Sequence, residues 1–173
     1  MDHCDECAYR YGDVVLDEIP ALLVAPADDY GVRLSEVPSR ELRAHPLAGT
    51  WSALEYAAHV RDVLAVQRER IQQAQAEACP EFAPMGREDR VTADAYNEQA
   101  PRAVAAELQH AAQSLAEVLR HLAADTWQRP CIYPWPVRSP RTIAWMARHT
   151  LHEGLHHRRD VDRVLAATQP PRR

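Results

Sequence analysis

Four of the nine histidines of this 173-residue chain crowd into one stretch, Arg148-His149-Thr150-Leu151-His152-Glu153-Gly154-Leu155-His156-His157-Arg158, where they share space with a glutamate. Imidazoles and a carboxylate are the donors that zinc, iron and nickel accept. The residues support two arrangements. Taken literally, His152-Glu153-Gly154-Leu155-His156 is H-E-x-x-H, in which two histidines one turn apart bind zinc and the glutamate activates water for peptide hydrolysis.

The other arrangement follows from which side of the helix faces a bundle. At about 100° per residue, Ile143, Met146, Thr150, Val161 and Val164 fall on one stripe with His157 inside it and Glu153 one turn away at its edge. His152 and His156 then point outward with Trp145, Arg159 and Arg163. The inward pair is Glu153 and His157, an E-x-x-x-H. The natural third ligand is His59, which shares an apolar face with Tyr56, Val63 and Val66 on another helix. Singly, each has an ordinary role: a hydrogen-bonded core histidine, a seam-edge glutamate, a solvated histidine face. Together they favour a metal site, because an unpaired buried carboxylate is costly. Three protein ligands leave open positions for water or substrate.

Cys4 and Cys7 form C-x-x-C, which brings two thiolates within reach of one ion or of each other. No second C-x-x-C or H-x-x-x-H follows at finger-like spacing. The pair is either half of a small metal knuckle completed by distant ligands or a reduced pair with no special task. Cys79 and Cys131 read as lone loop or buried thiols.

The elements that must position these groups are helices. Five glycines and one phenylalanine, against abundant Ala, Leu, Val, Arg and Glu, give an all-α composition. A first helix begins near Pro20, carrying Ile19, Leu22, Leu23, Tyr30 and Leu34 inward, with a kink or early break expected at Pro26 and Gly31. A second opens at Thr50-Trp51-Ser52 and runs to about Ala78. A long connection spans 79–100, with a short helix from Arg87 to Tyr96 that could cover a site. The third helix follows Pro101, with Val104, Leu108, Ala111, Leu115, Val118 and Leu122 at seam spacing. Pro130, Pro134, Pro136 and Pro140 exclude continuous helix from Trp127 to Pro140, where Tyr133 and Trp135 line a pocket or plug the bundle end. The fourth helix runs to about Ala167. The organisation is thus an N-terminal extension over 1–17, a bundle over 18–168 and a disordered tail over 169–173.

The formal net charge is −5, with both signs interspersed, so no basic stripe offers itself to nucleic acid. No apolar run approaches the roughly 20 residues that cross a bilayer, and Met1 to Cys7 lacks the basic and apolar regions of a signal peptide. The expected location is the cytoplasm, without membrane attachment.

Trp51-Ser52 followed by Ala57-Ala58-His59-Val60-Arg61-Asp62, together with His156-His157-Arg158-Arg159-Asp160-Val161, resembles the DinB/YfiT-like superfamily of metal-binding bundles over residues 18 to 168. The resemblance is strongest to the actinobacterial branch that includes mycothiol-dependent maleylpyruvate isomerase, although this sequence has no sizeable C-terminal extension like that enzyme's. It implies an up-down-down-up four-helix bundle, to which the C-x-x-C extension is an addition. Many members carry three histidines; the isomerase branch uses His, Glu, His, which places the metal on His59, Glu153 and His157. It further implies zinc, with nickel or iron as alternatives, and a homodimer. The cosubstrate would be a low-molecular-weight thiol, mycothiol, which attacks a small electrophile. Arg87, Tyr96, Asn97, Trp135 and Arg159 are candidates for holding a polar cosubstrate. The expected activity is a metal-dependent thiol S-transferase or isomerase. The alternatives are a noncatalytic metal-binding or stress-response protein and the H-E-x-x-H hydrolase. Substrate-binding and catalytic residues beyond the ligands are not assigned by the sequence.

Overall fold

The computed structural model describes residues 3–168. Its helices are α1 (Ile19–Glu36), α2 (Ser39–Leu42), α3 (Ala53–Ala76), α4 (Arg87–Ala93), α5 (Pro101–Arg120) and α6 (Ile143–Thr168), with a hairpin of β1 (Pro130–Tyr133) and β2 (Ser139–Thr142) between the last two. The expected tail, 169–173, lies outside the described residues.

The four long helices form the bundle, and the side-chain ties between them fix its topology. Asp29 meets Arg158 and Arg33 meets Asp162, so α1 and α6 run parallel. Asp28 accepts from Gln109 in the middle of α5, while the C-terminal end of α1, Ser35 and Glu36, lies beside Arg102 at the start of α5; these two are antiparallel. His59 faces Glu153 and His157 while Gln67, two turns on, approaches the hairpin that precedes α6, so α3 and α6 are antiparallel. The order is up-down-down-up, with α1 diagonal to α3. Tyr30, Leu54, Leu64, Leu108, Leu115, Met146 and Leu151 fill the centre.

Local chemistry explains the boundaries. Ser52 accepts the amide of Glu55, and the Glu55 carboxylate accepts the amide of Ser52, a reciprocal capping box that starts α3. At the other end of α3, the Arg129 guanidinium donates to the free carbonyls of Ala74 and Glu77. Thr142 caps α6 by accepting the amide of Trp145. Helix α1 passes through Pro26 and Gly31 without the expected break. Pro26 is buried against α6, and packing outweighs the one hydrogen bond that its ring removes. Leu22, expected inward, is 40% exposed.

The Trp/Pro-rich connection is a strand pair rather than irregular chain. Cys131 pairs with Arg141 and Ile132 with Pro140, and residues 80–82 add a further extended segment, with Ile132 bonded to Pro80 and Phe82. Hairpin and segment together roof one end of the α3/α6 groove.

Candidate metal centre

The ligand atoms of His59, Glu153 and His157 all lie within 4.8 Å of one another. His59 projects from the middle of α3 and is buried, with neither ring nitrogen finding a partner among the described residues. A neutral imidazole has one donor and one acceptor, and leaving both unmet inside a protein is unfavourable. Desolvation, aided by the charge of His157, pushes its pKa down to about 4. The ring is therefore neutral, with a lone pair to offer.

His157 and Glu153 come from successive turns of α6. His157 Nδ1 lies 2.8 Å from Asp160 Oδ2, which holds the proton on Nδ1 and turns Nε2 toward Glu153 Oε2 at 3.5 Å. Burial opposes charge on His157, but the two carboxylates overcome it and hold the pKa up to about 9. Glu153 is also pushed toward the neutral form by desolvation, yet its contacts to His152 and His157 win and keep it well below the usual carboxylate range. Without a metal the centre is an anionic carboxylate between a neutral imidazole, His59, and an imidazolium, His157, and the Asp160 carboxylate behind His157 is an arrangement common behind metal-bound histidines.

His59 and Glu153 line a cavity of about 250 Å³, while His157 opens on a separate pocket beside Trp51, Tyr56 and Arg87. Val63, Val66, Pro84, Met85, Pro134 and Trp135 supply apolar wall, and Gln67, Arg70, Arg87, Tyr133 and His149 supply polar groups. Arg70 is fixed by donating to the Ala83 carbonyl and the Tyr133 hydroxyl. Gly86, at φ 68°, makes the left-handed turn that starts α4 and brings Arg87 to the rim, its guanidinium over Trp51.

Comparison with known proteins places the chain. A family model described as the DinB superfamily matches residues 23–161. The chain belongs to the DinB superfamily. Among solved structures it is similar to YfiT from Bacillus subtilis, described as a probable metal-dependent hydrolase with an unusual four-helix bundle topology; identity is 18%, TM-score 0.67, and the match covers 86% of this chain and 82% of that one. It is also similar to the mycothiol-dependent maleylpyruvate isomerase, at 20% identity and TM-score 0.70, covering 87% of this chain but 62% of the isomerase. No curated protein sequence matches. At these identities the likeness concerns the fold, and the chain spans under two thirds of the isomerase's length.

In this DinB-superfamily chain the stripe of Ile143, Met146, Thr150, His157, Val161 and Val164 is buried. His152 and His156 do lie off it, but they do not face solvent: His152 is buried and His156 half-buried beneath the N-terminal segment. His152 and His156 gather with Cys4 and Cys7, their ligand atoms within 4.8 Å of one another. Glu153, between them in sequence, instead contacts His152 through one oxygen and His157 through the other.

Of the candidates for a polar cosubstrate, Arg87 and Trp135 line the cavity. Tyr96 is instead buried, donating to Asp62; Asn97 is held by Arg43 and Ser52; Arg159 donates to the carbonyl of Cys7. Sequence reasoning passed over His149, which is buried, accepts or donates to the Tyr11 hydroxyl at 2.8 Å, and reaches Glu153 Oε1 at 3.9 Å. Its position one turn before Glu153 was the available signal. Asp160, three residues after His157, was missed for its role behind that ring. Among the described residues no helix is long and apolar enough to cross a membrane.

Proposed function

We propose that this protein is a divalent-metal-dependent enzyme of the thiol S-transferase or isomerase type, in which His59, Glu153 and His157 hold the ion, zinc in the first instance. The observation that carries the reading is His59: a buried imidazole with both nitrogens unmet among the described residues, within reach of a carboxylate and a second imidazole, where it and the carboxylate line a cavity. An ion there would lower the pKa of a small thiol and hold its sulfur as a nucleophile.

The chain's own groups suit a nucleophile that arrives with a cosubstrate. Glu153 is the one carboxylate among the residues lining the cavity, and as a ligand it is not free to act as the general base that water activation requires. Val63, Val66 and Trp135 give the cavity apolar wall, while Arg70 and Arg87 offer cationic donors to an anionic or hydroxyl-rich partner. In the reaction a carbon–sulfur bond forms on the electrophile, the thiol proton passes to solvent, and any leaving group departs with its bonding electrons. Mycothiol is the thiol proposed, supported by the fold shared with an enzyme described as dependent on it.

The test is conjugation of mycothiol, and separately of other low-molecular-weight thiols, to an electrophile such as chlorodinitrobenzene by zinc-loaded protein. Turnover that is lost in His59→Ala supports the reading. Turnover unaffected by that change, or none with any thiol while ester or amide substrates are cleaved, overturns it in favour of a hydrolase. Ion binding without any turnover leaves a noncatalytic metal-binding protein and also overturns it.

A further inference from the structure

Residues 3–10 fold back as a tight turn: His3 bridges to Arg10, the Cys4 amide donates to the Tyr9 carbonyl at 2.9 Å, and Ala8 takes a left-handed conformation at φ 57°. The turn is docked on α6. Arg159 donates to the Cys7 carbonyl at 2.6 Å, and the Tyr9 hydroxyl donates to the Arg148 carbonyl at 2.9 Å. Docking sets the two sulfurs against His152 and His156.

The hydrogen bonds around these histidines decide which nitrogen faces the sulfurs. Tyr11, with one hydroxyl proton, serves His149 Nδ1 at 2.8 Å and can only accept from His152 Nδ1 at 3.4 Å. Glu153 Oε1, 3.4 Å from the same nitrogen, also requires a proton on it. The lone pair of His152 is thereby left on Nε2, which is buried and has no hydrogen-bond partner among the described residues. His156 Nε2 lies 3.4 Å from Glu6 and 3.7 Å from Asp160, leaving its lone pair on Nδ1, 3.7 Å from the Cys4 sulfur. In tetrahedral zinc, with Zn–S about 2.3 Å and Zn–N about 2.0–2.1 Å, ligand atoms stand roughly 3.3–3.8 Å apart. The four donors, with ligand atoms within 4.8 Å of one another, need only small side-chain shifts to reach that spacing, and four protein ligands would fill a tetrahedron and leave no position for substrate.

We propose that Cys4, Cys7, His152 and His156 form a second, structural zinc site that pins the N-terminal turn to α6. The site is independent of the thiol-transfer reading. It has a mechanical role: with the turn in place, Tyr9 and Tyr11 cover His149 and His152, and His152 braces the Glu153 carboxylate from the side opposite His157.

Elemental analysis of protein purified under reducing conditions tests the proposal, with circular dichroism as the check on folding. Wild type should hold two ions per chain, Cys4→Ser/Cys7→Ser one, His152→Ala one, and His59→Ala one. A titration that needs no variant accompanies it: a thiol-blocking mercurial should release one of the two ions from wild type. In cobalt-substituted protein, an intense sulfur-to-cobalt charge-transfer absorption should persist in His59→Ala and vanish in Cys4→Ser/Cys7→Ser. One ion per chain, undiminished in the double cysteine variant and unreleased by the mercurial, overturns the proposal. So does a Cys4–Cys7 disulfide that forms in place of ion binding under the same reducing conditions. Wild-type protein that shows the cobalt–sulfur band but holds only that one ion would count against the proposed function and not against this site.

Discussion

Replacing His59 with leucine should have opposite effects on stability with and without metal. In the metal-free chain both ring nitrogens are buried and unmet, and each unmet group costs about 1–3 kcal/mol. Leucine has similar bulk and no polar atom, so it removes that cost while introducing a shape mismatch of up to about 1.5 kcal/mol. The balance is a gain of about 2 kcal/mol, which in a chain of this size raises Tm by about 4–8 °C. With metal the order reverses, since an ion at a hundred times its Kd adds about 2.7 kcal/mol to the protein that binds it. The assay is differential scanning calorimetry after exhaustive chelation, repeated with excess zinc. An ion at the cysteine site adds the same increment to both proteins, so the difference between them is the signal. A metal-free His59→Leu protein that melts below wild type would refute the reasoning, because His59 would then be a satisfied core histidine rather than a preorganised ligand.

Asp160→Asn removes the acceptor that orients His157 Nδ1 and should weaken the ion at His59, Glu153 and His157 by about 10- to 100-fold, measured by competition with a chromophoric chelator; an unchanged Kd would show that packing alone holds the ring. The metal-free protein should be most stable near pH 6.5. Below that, His59 and His149, both pushed down to about 4 by burial, take up protons more readily when unfolded, so stability falls as pH falls. Above it, His157, held up to about 9, keeps a proton that the unfolded chain has lost, so stability falls as pH rises toward 9. Urea unfolding across pH 5–9 measures this, and zinc should flatten the alkaline limb. Ser52→Ala removes the cap of α3 and the bond to Asn97 and should lower stability by about 1–2 kcal/mol in urea titrations, with metal content unchanged.

The bundle and the inward face of α6 were legible because periodicity is a short-range property: the stripe holding His157 is set by residues three and four apart on one helix. His59 could be matched to it because it lies on an apolar face. What the pattern could not show was contact between distant segments. C-x-x-C and H-x-x-x-H were both visible, yet their meeting depends on the N-terminal turn docking through Arg159 and Arg148 onto a helix at the far end of the chain. The hairpin was hidden by its prolines, which forbid helix but sit at strand positions where Pro130 and Pro140 need donate nothing. Pro26 and Leu22 misled in the opposite sense, since local propensity argued for a break and an inward leucine where tertiary packing of α1 decided otherwise.

The up-down-down-up order has a consequence for folding kinetics. The groups proposed to hold an ion, His59, Glu153 and His157, come from α3 and α6, with α4, α5 and the hairpin between them in the chain, and the first helix lies beside the last. Contacts so distant in sequence close late, after most of the loop entropy has been met. A metal bound there would therefore be expected to arrive after its ligands are assembled rather than to nucleate the bundle. Interactions absent from the transition state act on the unfolding limb, so saturating zinc should slow unfolding and leave the refolding rate where it stands in the metal-free chain.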